Sequence, residues 1–346
     1  MRKHKQAVGL MTALVPTIGH GAMIRFMAEL IGPMGFGYVI VSGRDFEPVP
    51  LEARVMALQE FADKIHNRIT IVPHDDNDAP QNPATDAEWQ YWKDVVTQDG
   101  FLSYDYFVAS EPYGKTMAEL ISSEFVPFDI DRNMFEVKGT NVRDNIQYHC
   151  DLILPEFIPC IRKTVTIFGL ESTGKTTLTN QLANRYCSMT HEFARPYLEQ
   201  MDDKSVTDAK MATIVRGQYA LQKTAEMTGA LITIQDTDLL STIGYYRIYG
   251  GDSDGTDIEY LFEETKSDLY IVTPDNIPFE ADPLRYGGDK REGDMKFWID
   301  LLEEYDCTYV VLESSDSEDR YYEAMECINY QAYTEWFKSI RDFVRD

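Results

Sequence analysis

The sequence predicts an α/β protein of two domains in tandem, each built on a parallel sheet. Two observations carry this, with a third from length. Twice along the chain an apolar stretch empties into a tight Gly-containing loop and then a helical pattern. The first is Ala7 to Leu14 before Val15-Pro16-Thr17-Ile18-Gly19-His20-Gly21, and the second is Val165 to Phe168 before Gly169-Leu170-Glu171-Ser172-Thr173-Gly174-Lys175-Thr176. Each start is followed by β-branched stretches alternating with amphipathic ones, the pattern of parallel strands joined by helical crossovers. A length of 346 residues is too much for one ordinary domain and comfortable for two. The connector Asp151 to Arg162, with Pro155 and Pro159, places the boundary between domains 1–160 and 161–346.

Composition narrows the function classes. The chain is 44% hydrophobic, with no apolar run long enough for a bilayer. The basic start Met1-Arg2-Lys3-His4-Lys5 leads into an apolar stretch too short for a secretory signal. A cytoplasmic protein is expected. Five cysteines, an odd number without a C-x-x-C pair, suggest neither a disulfide framework nor a zinc site. The 58 acidic against 32 basic residues give a net charge of −26, which repels nucleic acid and anionic membrane. Small phosphorylated ligands remain compatible, since Mg²⁺ and local cations can offset the global field. The expected partners are therefore small molecules, with a homo-oligomer left open.

In the first domain, Thr17, Gly19 and His20 form a T-x-G-H at a helix start, where a hydroxyl and an imidazole can meet a phosphate. Taken alone, the motif also reads as a satisfied surface histidine. Gly37 to Arg44 is a second strand, Leu51 to Phe61 an amphipathic helix carrying Arg54, and Ile69 to Pro73 a third strand running into the acidic His74 to Asp78. Ligands of such sheets collect at the carboxyl ends of the strands. Trp89 and Trp92 stand one helical turn apart beyond that acidic end and read either as core or as the contact of a flat ring. Tyr106 to Ser110 is a fourth strand. Gly139 and Thr140 then make a small turn entering a helix that carries Arg143, a place to hold nucleotide phosphates.

In the second domain, G-x-x-x-x-G-K-T from Gly169 to Thr176 is a phosphate cradle. Its backbone N–H groups, from Gly169, Glu171, Ser172, Thr173 and Gly174 to Thr177, converge on one anion. Lys175 reaches the outer phosphates and the Thr176 hydroxyl can ligate Mg²⁺. This predicts triphosphate binding and leaves kinase, ATPase and GTPase open. Ala230 to Gln235 is a strand delivering Asp236-Thr237-Asp238, where carboxylates can hold Mg²⁺ or take a proton. Strands at Asp268 to Thr273 and Thr308 to Leu312 follow, and residues 317–346 read as one or two amphipathic helices.

T-x-G-H after the first strand, paired with G-T-x-x-R from Gly139 to Arg143, resembles the HxGH/TxGH nucleotidyltransferase superfamily. More narrowly, Trp89-x-x-Trp92, Ser110-x-Pro112-Tyr113-Gly114, Asp129-x-x-Arg132 and the second phosphate loop, in that order, resemble the NadR-type bifunctional enzymes. That family joins a nicotinamide-mononucleotide adenylyltransferase to a ribosylnicotinamide kinase. The resemblance implies a Rossmann-like nucleotidyltransferase domain followed by a P-loop kinase domain, with ATP and Mg²⁺ used in NAD salvage. It implies Thr17, His20 and Arg143 as catalytic groups of the first site. In the second it implies Lys175 with Asp236 or Glu192 as base, and Asp236 with Thr176 at the metal. His191-Glu192-x-x-Arg195 matches a W-E-x-x-R element with histidine in the tryptophan position. Arg195 and Asp238, with Phe279 and Asp282 of a P-W-x-x-D-G-x-R-like stretch, would contact substrate, and Arg285 and Arg291 would close over the nucleotide as a lid.

There are departures from the pattern. Thr17 replaces the first histidine, and no helix-turn-helix fits before the first strand, so no repressor function is expected. Rival readings are a coenzyme A synthase-like pairing, which shares both loops but leaves the W-x-x-W, H-E-F-A-R and D-T-D elements unexplained, and a non-catalytic sensor of ATP and NAD.

Overall fold

The structure is a computed structural model describing residues 4–80, 83–98, 100–202, 207–248, 257–278 and 294–344. The chain divides into two compact units, Met1–Cys160 together with Phe337–Asp346, and Ile161–Trp336.

In the first unit, strands β1 (Gln6–Met11), β2 (Phe36–Gly43), β3 (Ile69–Asp75), β4 (Tyr106–Ala109) and β5 (Glu124–Pro127) form one sheet in the order β3-β2-β1-β4-β5. Every pairing is parallel. Helices α1 (Ile18–Ile31), α2 (Leu51–Ile65), α3 (Asp86–Thr97) and α4 (Tyr113–Leu120) provide the crossovers, and a short α5 (Gly139–Asp144) follows. Such a sheet is buried on both faces, which is why its strands read as near-continuous apolar runs. Val8, Ile40, Phe107 and Met117 form a cluster with Trp92, Val96 and Tyr104. Met23, Ile24 and Met27 bury the apolar stripe of α1.

The amphipathic α2 hides a charge. Arg54 and Glu47 are both fully buried and joined over 2.6 Å. The Arg54 guanidinium also donates to the carbonyls of Thr12 at 3.2 Å and Ser42 at 3.5 Å, and so ties the loop leaving β1 to the end of β2.

The second unit begins at Ile161, the last residue of the short helix α6 (Ile158–Ile161). It contains β6 (Lys163–Phe168), α7 (Lys175–Tyr186), β7 (Met189–Thr190), α8 (Ala194–Glu199), α9 (Asp208–Ala225) and β8 (Ile232–Asp236). Helices α10 (Leu239–Ile248) and α11 (Ile258–Thr265), β9 (Leu269–Val272), α12 (Met295–Glu304), β10 (Tyr309–Val311) and α13 (Ser317–Gln331) complete it. Its sheet is parallel throughout, in the order β10-β9-β6-β8-β7. The core centres on Phe168, which meets Tyr270 and Trp298 edge-on at 5.6 and 5.3 Å.

The C-terminal segment departs from the sequence reading. The expectation assigned 317–346 to the second domain, whereas Phe337–Asp346, with helix α14 (Lys338–Asp342), falls with the first unit. Phe343 packs against Phe46, ring centroids 6.1 Å apart. An amphipathic pattern says that a helix has a face to bury, not which domain will bury it. No described helix is long and apolar enough to cross a membrane.

Candidate active sites

In each sheet the first strand lies at the centre, and the connections leaving it and its neighbours diverge, opening a crevice at the carboxyl ends. In the first unit this crevice is a cleft of about 750 Å³. Thr17, Gly19, His20, Trp89, Trp92, Gly139, Thr140 and Arg143, gathered from three separate stretches of sequence, all line it.

The T-x-G-H loop is built as a helix start. Thr17 is the N-cap of α1 in extended backbone, and His20 occupies the third helical position. The Thr17 backbone N–H donates to His20 Nδ1 at 2.9 Å, and the Thr17 hydroxyl lies 2.9 Å from the same nitrogen. A nitrogen that accepts from an N–H carries no proton of its own. The neutral ring therefore bears its proton on Nε2. Burial, aided by the positive charge of Arg132, pushes the His20 pKa down to about 4, so the ring is a neutral donor at physiological pH. The loop is held from outside as well. Thr17 bridges Ile153, and Leu154 N–H donates to Pro16 O at 2.9 Å. Thr17 itself is only 2% exposed. Its hydroxyl is engaged with His20.

Cations also line this cleft. Arg132, Lys138 and Arg143 all line it. Burial disfavours the Arg143 charge, offset in part by Asp144 and Glu47. Arg132 adopts a left-handed backbone, φ +53°, and donates to Val137 O at 3.0 Å. Asp129, also left-handed, accepts from the N–H groups of Met134 and Phe135 at 3.0 and 2.8 Å. The D-x-x-R element is thus a loop staple that aims a guanidinium. Sequence reasoning noted the motif but assigned Arg132 no role.

The two tryptophans differ. Trp92 is 7% exposed, donates from its indole N–H to Pro80 O at 2.7 Å, and meets His74 and Tyr91 edge-on. Trp89 is half-buried on the cleft wall. Trp92 is mainly fixed core with an edge on the cleft, whereas Trp89 packs only partly against the same core and lines the cleft.

In the second unit, the loop between β6 and α7 needs unusual backbone. Gly169 has φ +128° and Gly174 φ +83°, and a Cβ on Gly169 would lie 2.9 Å from Thr273 O. Only glycine takes such angles without strain. Lys175 Nζ folds back to donate to the carbonyls of Gly169 and Leu170 at 2.9 and 2.6 Å. Thr176 and Thr177 are exposed on the first turn of α7. The Thr173 side chain points inward to Leu170 O and Thr273 Oγ1 at 2.8 and 2.7 Å, leaving only its backbone for an anion.

Asp236 ends β8 in register with Ile167 of β6, one residue short of the strand's end at Phe168. Asp238 differs from the expectation. It is 1% exposed, accepts from the Tyr270 hydroxyl at 2.6 Å and the Ser241 N–H at 3.1 Å, and so caps α10 from inside the core. The left-handed Thr237, φ +71°, separates it from Asp236. Burial raises the Asp238 pKa to about 6 against these hydrogen bonds. The carboxylate is thus engaged by core groups.

Glu192 and Arg195 form a loose pair, 3.9 Å apart and about a third exposed. Between them, Phe193 N–H donates to Gln218 Oε1 at 2.9 Å, and Gln218 Nε2 reaches Thr237 O at 3.5 Å. This buried amide ties the Glu192 loop to the Asp236 turn. No local signal in the sequence marks it. Phe279, Asp282, Arg285 and Arg291 lie outside the described residues.

Comparison with known proteins follows the same division. The AAA domain family model matches residues 164–320. The trifunctional NAD biosynthesis/regulator protein NadR of Escherichia coli (strain K12) is 26% identical over 250 residues, covering 69% of this chain and 61% of that protein. Its counterpart from Salmonella typhimurium is 25% identical over the same length. This chain is similar to NadR-type proteins. It spans about three fifths of the length of those curated NadR relatives. The fold agrees across almost the whole chain. A crystal structure of NadR protein in complex with NR superposes with a TM-score of 0.68 at 24% identity, covering 96% of this chain and 98% of that one. Another, with NAD and AMP-PNP, gives 0.69 at 24% identity, covering 96% and 97%.

Proposed function

We propose that the chain is a bifunctional transferase of NAD salvage. Its second domain phosphorylates nicotinamide riboside with ATP, and its first joins the mononucleotide to AMP from a second ATP, releasing diphosphate. The observation that carries this reading is the pairing in one NadR-type chain of two sheets, each with a phosphate-type loop where its first strand ends. One loop faces a cation-lined, tryptophan-walled cleft, and the other is a Lys175 phosphate cradle. The NR and the NAD with AMP-PNP held by the related structures are the ligands this scheme requires. On this reading the first domain is an HxGH-type nucleotidyltransferase and the second a P-loop kinase.

In the first site a phosphate oxygen of the mononucleotide attacks the α-phosphorus of ATP and diphosphate leaves. Charge builds on the α-phosphate and then on the diphosphate. The Nε2–H of neutral His20 and the guanidinium of Arg132 are donors held by hydrogen bonds before substrate arrives, which is how electrostatic stabilisation avoids reorganisation at the moment of reaction, and Arg143 adds a second guanidinium on the cleft wall. Positioning and charge stabilisation suffice, with no covalent intermediate.

In the second site the riboside hydroxyl attacks the γ-phosphorus and ADP leaves, with Lys175 drawn from its own loop carbonyls onto the phosphates. Asp236 or Glu192 accepts the hydroxyl proton. The donor set fits Mg²⁺, since an exposed threonine hydroxyl at 176 and a strand-end carboxylate at 236 are the few protein oxygens such an ion takes beside phosphates and water. When bound, the ion would neutralise charge on the phosphates. A pantetheine-handling enzyme would have no use for the Trp89 face, which suits a cationic pyridine ring.

The test is to incubate the purified chain with ATP, Mg²⁺ and nicotinamide riboside or its acid analogue, and to identify products by mass. Mononucleotide and dinucleotide together support the reading, and no product from either riboside refutes it. Lys175→Ala is expected to abolish riboside phosphorylation while leaving adenylylation of supplied mononucleotide nearly intact.

A further inference from the structure

We infer that Arg320 is the positioning residue that holds the second domain's phosphate loop in its anion-binding shape, an inference resting on the kinase reading above. Arg320 sits in the first turn of α13 and is 4% exposed. Its guanidinium reaches three separate loops. Nη1–H donates to Thr173 O at 2.7 Å, in the phosphate loop after β6. Nη2–H donates to Pro274 O at 3.4 Å and to Asn276 Oδ1, both after β9. Nε–H donates to Ser314 O at 2.7 Å, after β10. These are the carboxyl ends of three adjacent strands of the sheet. Asn276 strengthens the same knot, donating from Nδ2 to Glu313 O and Ser314 O at 3.0 and 3.3 Å.

The contact with Thr173 matters because of peptide geometry. A trans peptide is planar, and its C=O and the following N–H point to opposite sides. Holding the Thr173 carbonyl toward Arg320 therefore turns the Gly174 N–H to the opposite side of the peptide. Gly174 must take φ +83° to make this turn, and a Cβ there would lie 3.4 Å from Arg320 Nη1. The Thr173 hydroxyl is pinned by Thr273, so the peptide is fixed from two directions before any nucleotide binds. Spanning three loops needs a planar fork of donors, which lysine lacks. The guanidinium stands one peptide away from the cradle.

The experiment uses the full chain with Arg320→Met, Arg320→Lys and the milder Asn276→Ala. Folding is followed by circular dichroism and thermal unfolding. Affinities for ATP, tripolyphosphate and adenosine are measured by calorimetry with Lys175 intact. Losing a charge-assisted hydrogen bond corresponds to about 10-fold or more in affinity. Arg320→Met is expected to weaken ATP and tripolyphosphate by about that factor in the kinase site, leaving adenosine affinity, the KM for riboside and the adenylylation rate unchanged. Arg320→Lys should recover only part of the loss. Should Arg320→Met fail to fold, Asn276→Ala decides, with a smaller loss confined to the same two phosphate ligands.

The inference is overturned if a folded variant binds tripolyphosphate as wild type does, or if adenosine and riboside weaken equally. If the wild-type chain phosphorylates no riboside, the kinase reading fails. The tripolyphosphate comparison then still judges Arg320.

Discussion

The backbone N–H of Thr17 donates to Nδ1 of His20, and that one bond decides which edge of the imidazole carries a proton. Because the donor is a main-chain group, the orientation survives a change of the Thr17 side chain. Thr17→Ala is therefore expected to cost adenylylation much less than His20→Ala. The latter should lower kcat by roughly 10² or more, the usual loss for one charge-stabilising donor. Equal losses would move the essential function to the hydroxyl.

The protonation of His20 can be read directly. With its pKa held near 4 by burial and by Arg132, the ring should stay neutral with Nε2–H in nitrogen-15 spectra of the free protein from pH 8 to 5. Between about 4 and 6.5 the unfolded chain takes up a proton that the native ring does not. This residue therefore makes the protein less stable as pH falls through that window, and contributes no slope above it. A midpoint near 6.5 would contradict the buried placement.

Asp238 gives the opposite sign. Its pKa is raised to about 6, so between about 4 and 6 the native state holds a proton that the unfolded chain has released. Stability from this group falls as pH rises through that range. Asp238→Asn should flatten that component of a stability–pH curve and leave the KM for riboside unchanged. A large rise in that KM would restore Asp238 as a substrate ligand.

Trp89 and Trp92 should separate under substitution. Trp89→Ala is expected to weaken mononucleotide binding several-fold, corresponding to about 1–2 kcal/mol of lost cation–π attraction, with little loss of stability. Trp92→Ala should destabilise the first unit by about 3–5 kcal/mol, as for large-to-small core changes. Chemical denaturation and mononucleotide quenching of fluorescence measure the two effects, and identical behaviour would mean that both rings are core.

Glu47→Ala should be among the most damaging single changes in the first unit. Removing one partner of a buried pair strands the other, at about 3–5 kcal/mol. Replacing both, as Glu47→Leu with Arg54→Met, should be milder in denaturant than Glu47→Ala alone. Additive losses would show that the two charges stabilise separately.

Local signals made most of the first strands and both loops readable in advance, because a strand, a glycine turn and a capped helix each lie within a few neighbouring residues. Strand β7, only two residues long, had no periodicity to detect. The D-T-D element announced a strand end but not the left-handed Thr237 that turns Asp238 inward. Gln218 and Arg320 were invisible for a different reason. Arg320 meets Thr173 across 147 positions, and nothing near either residue encodes that meeting. Phe343 reaches the first cleft only because the chain leaves the second unit again after Trp336.

That return has a consequence in time. The ribosome finishes residues 1–160 long before it makes 337–346, and everything in between belongs to the other unit. At about 5–20 residues per second the delay is roughly 10–35 s. Throughout this interval the first unit lacks Phe343 and α14, and the second unit is finished just ahead of them. The site encoded first is the one completed last.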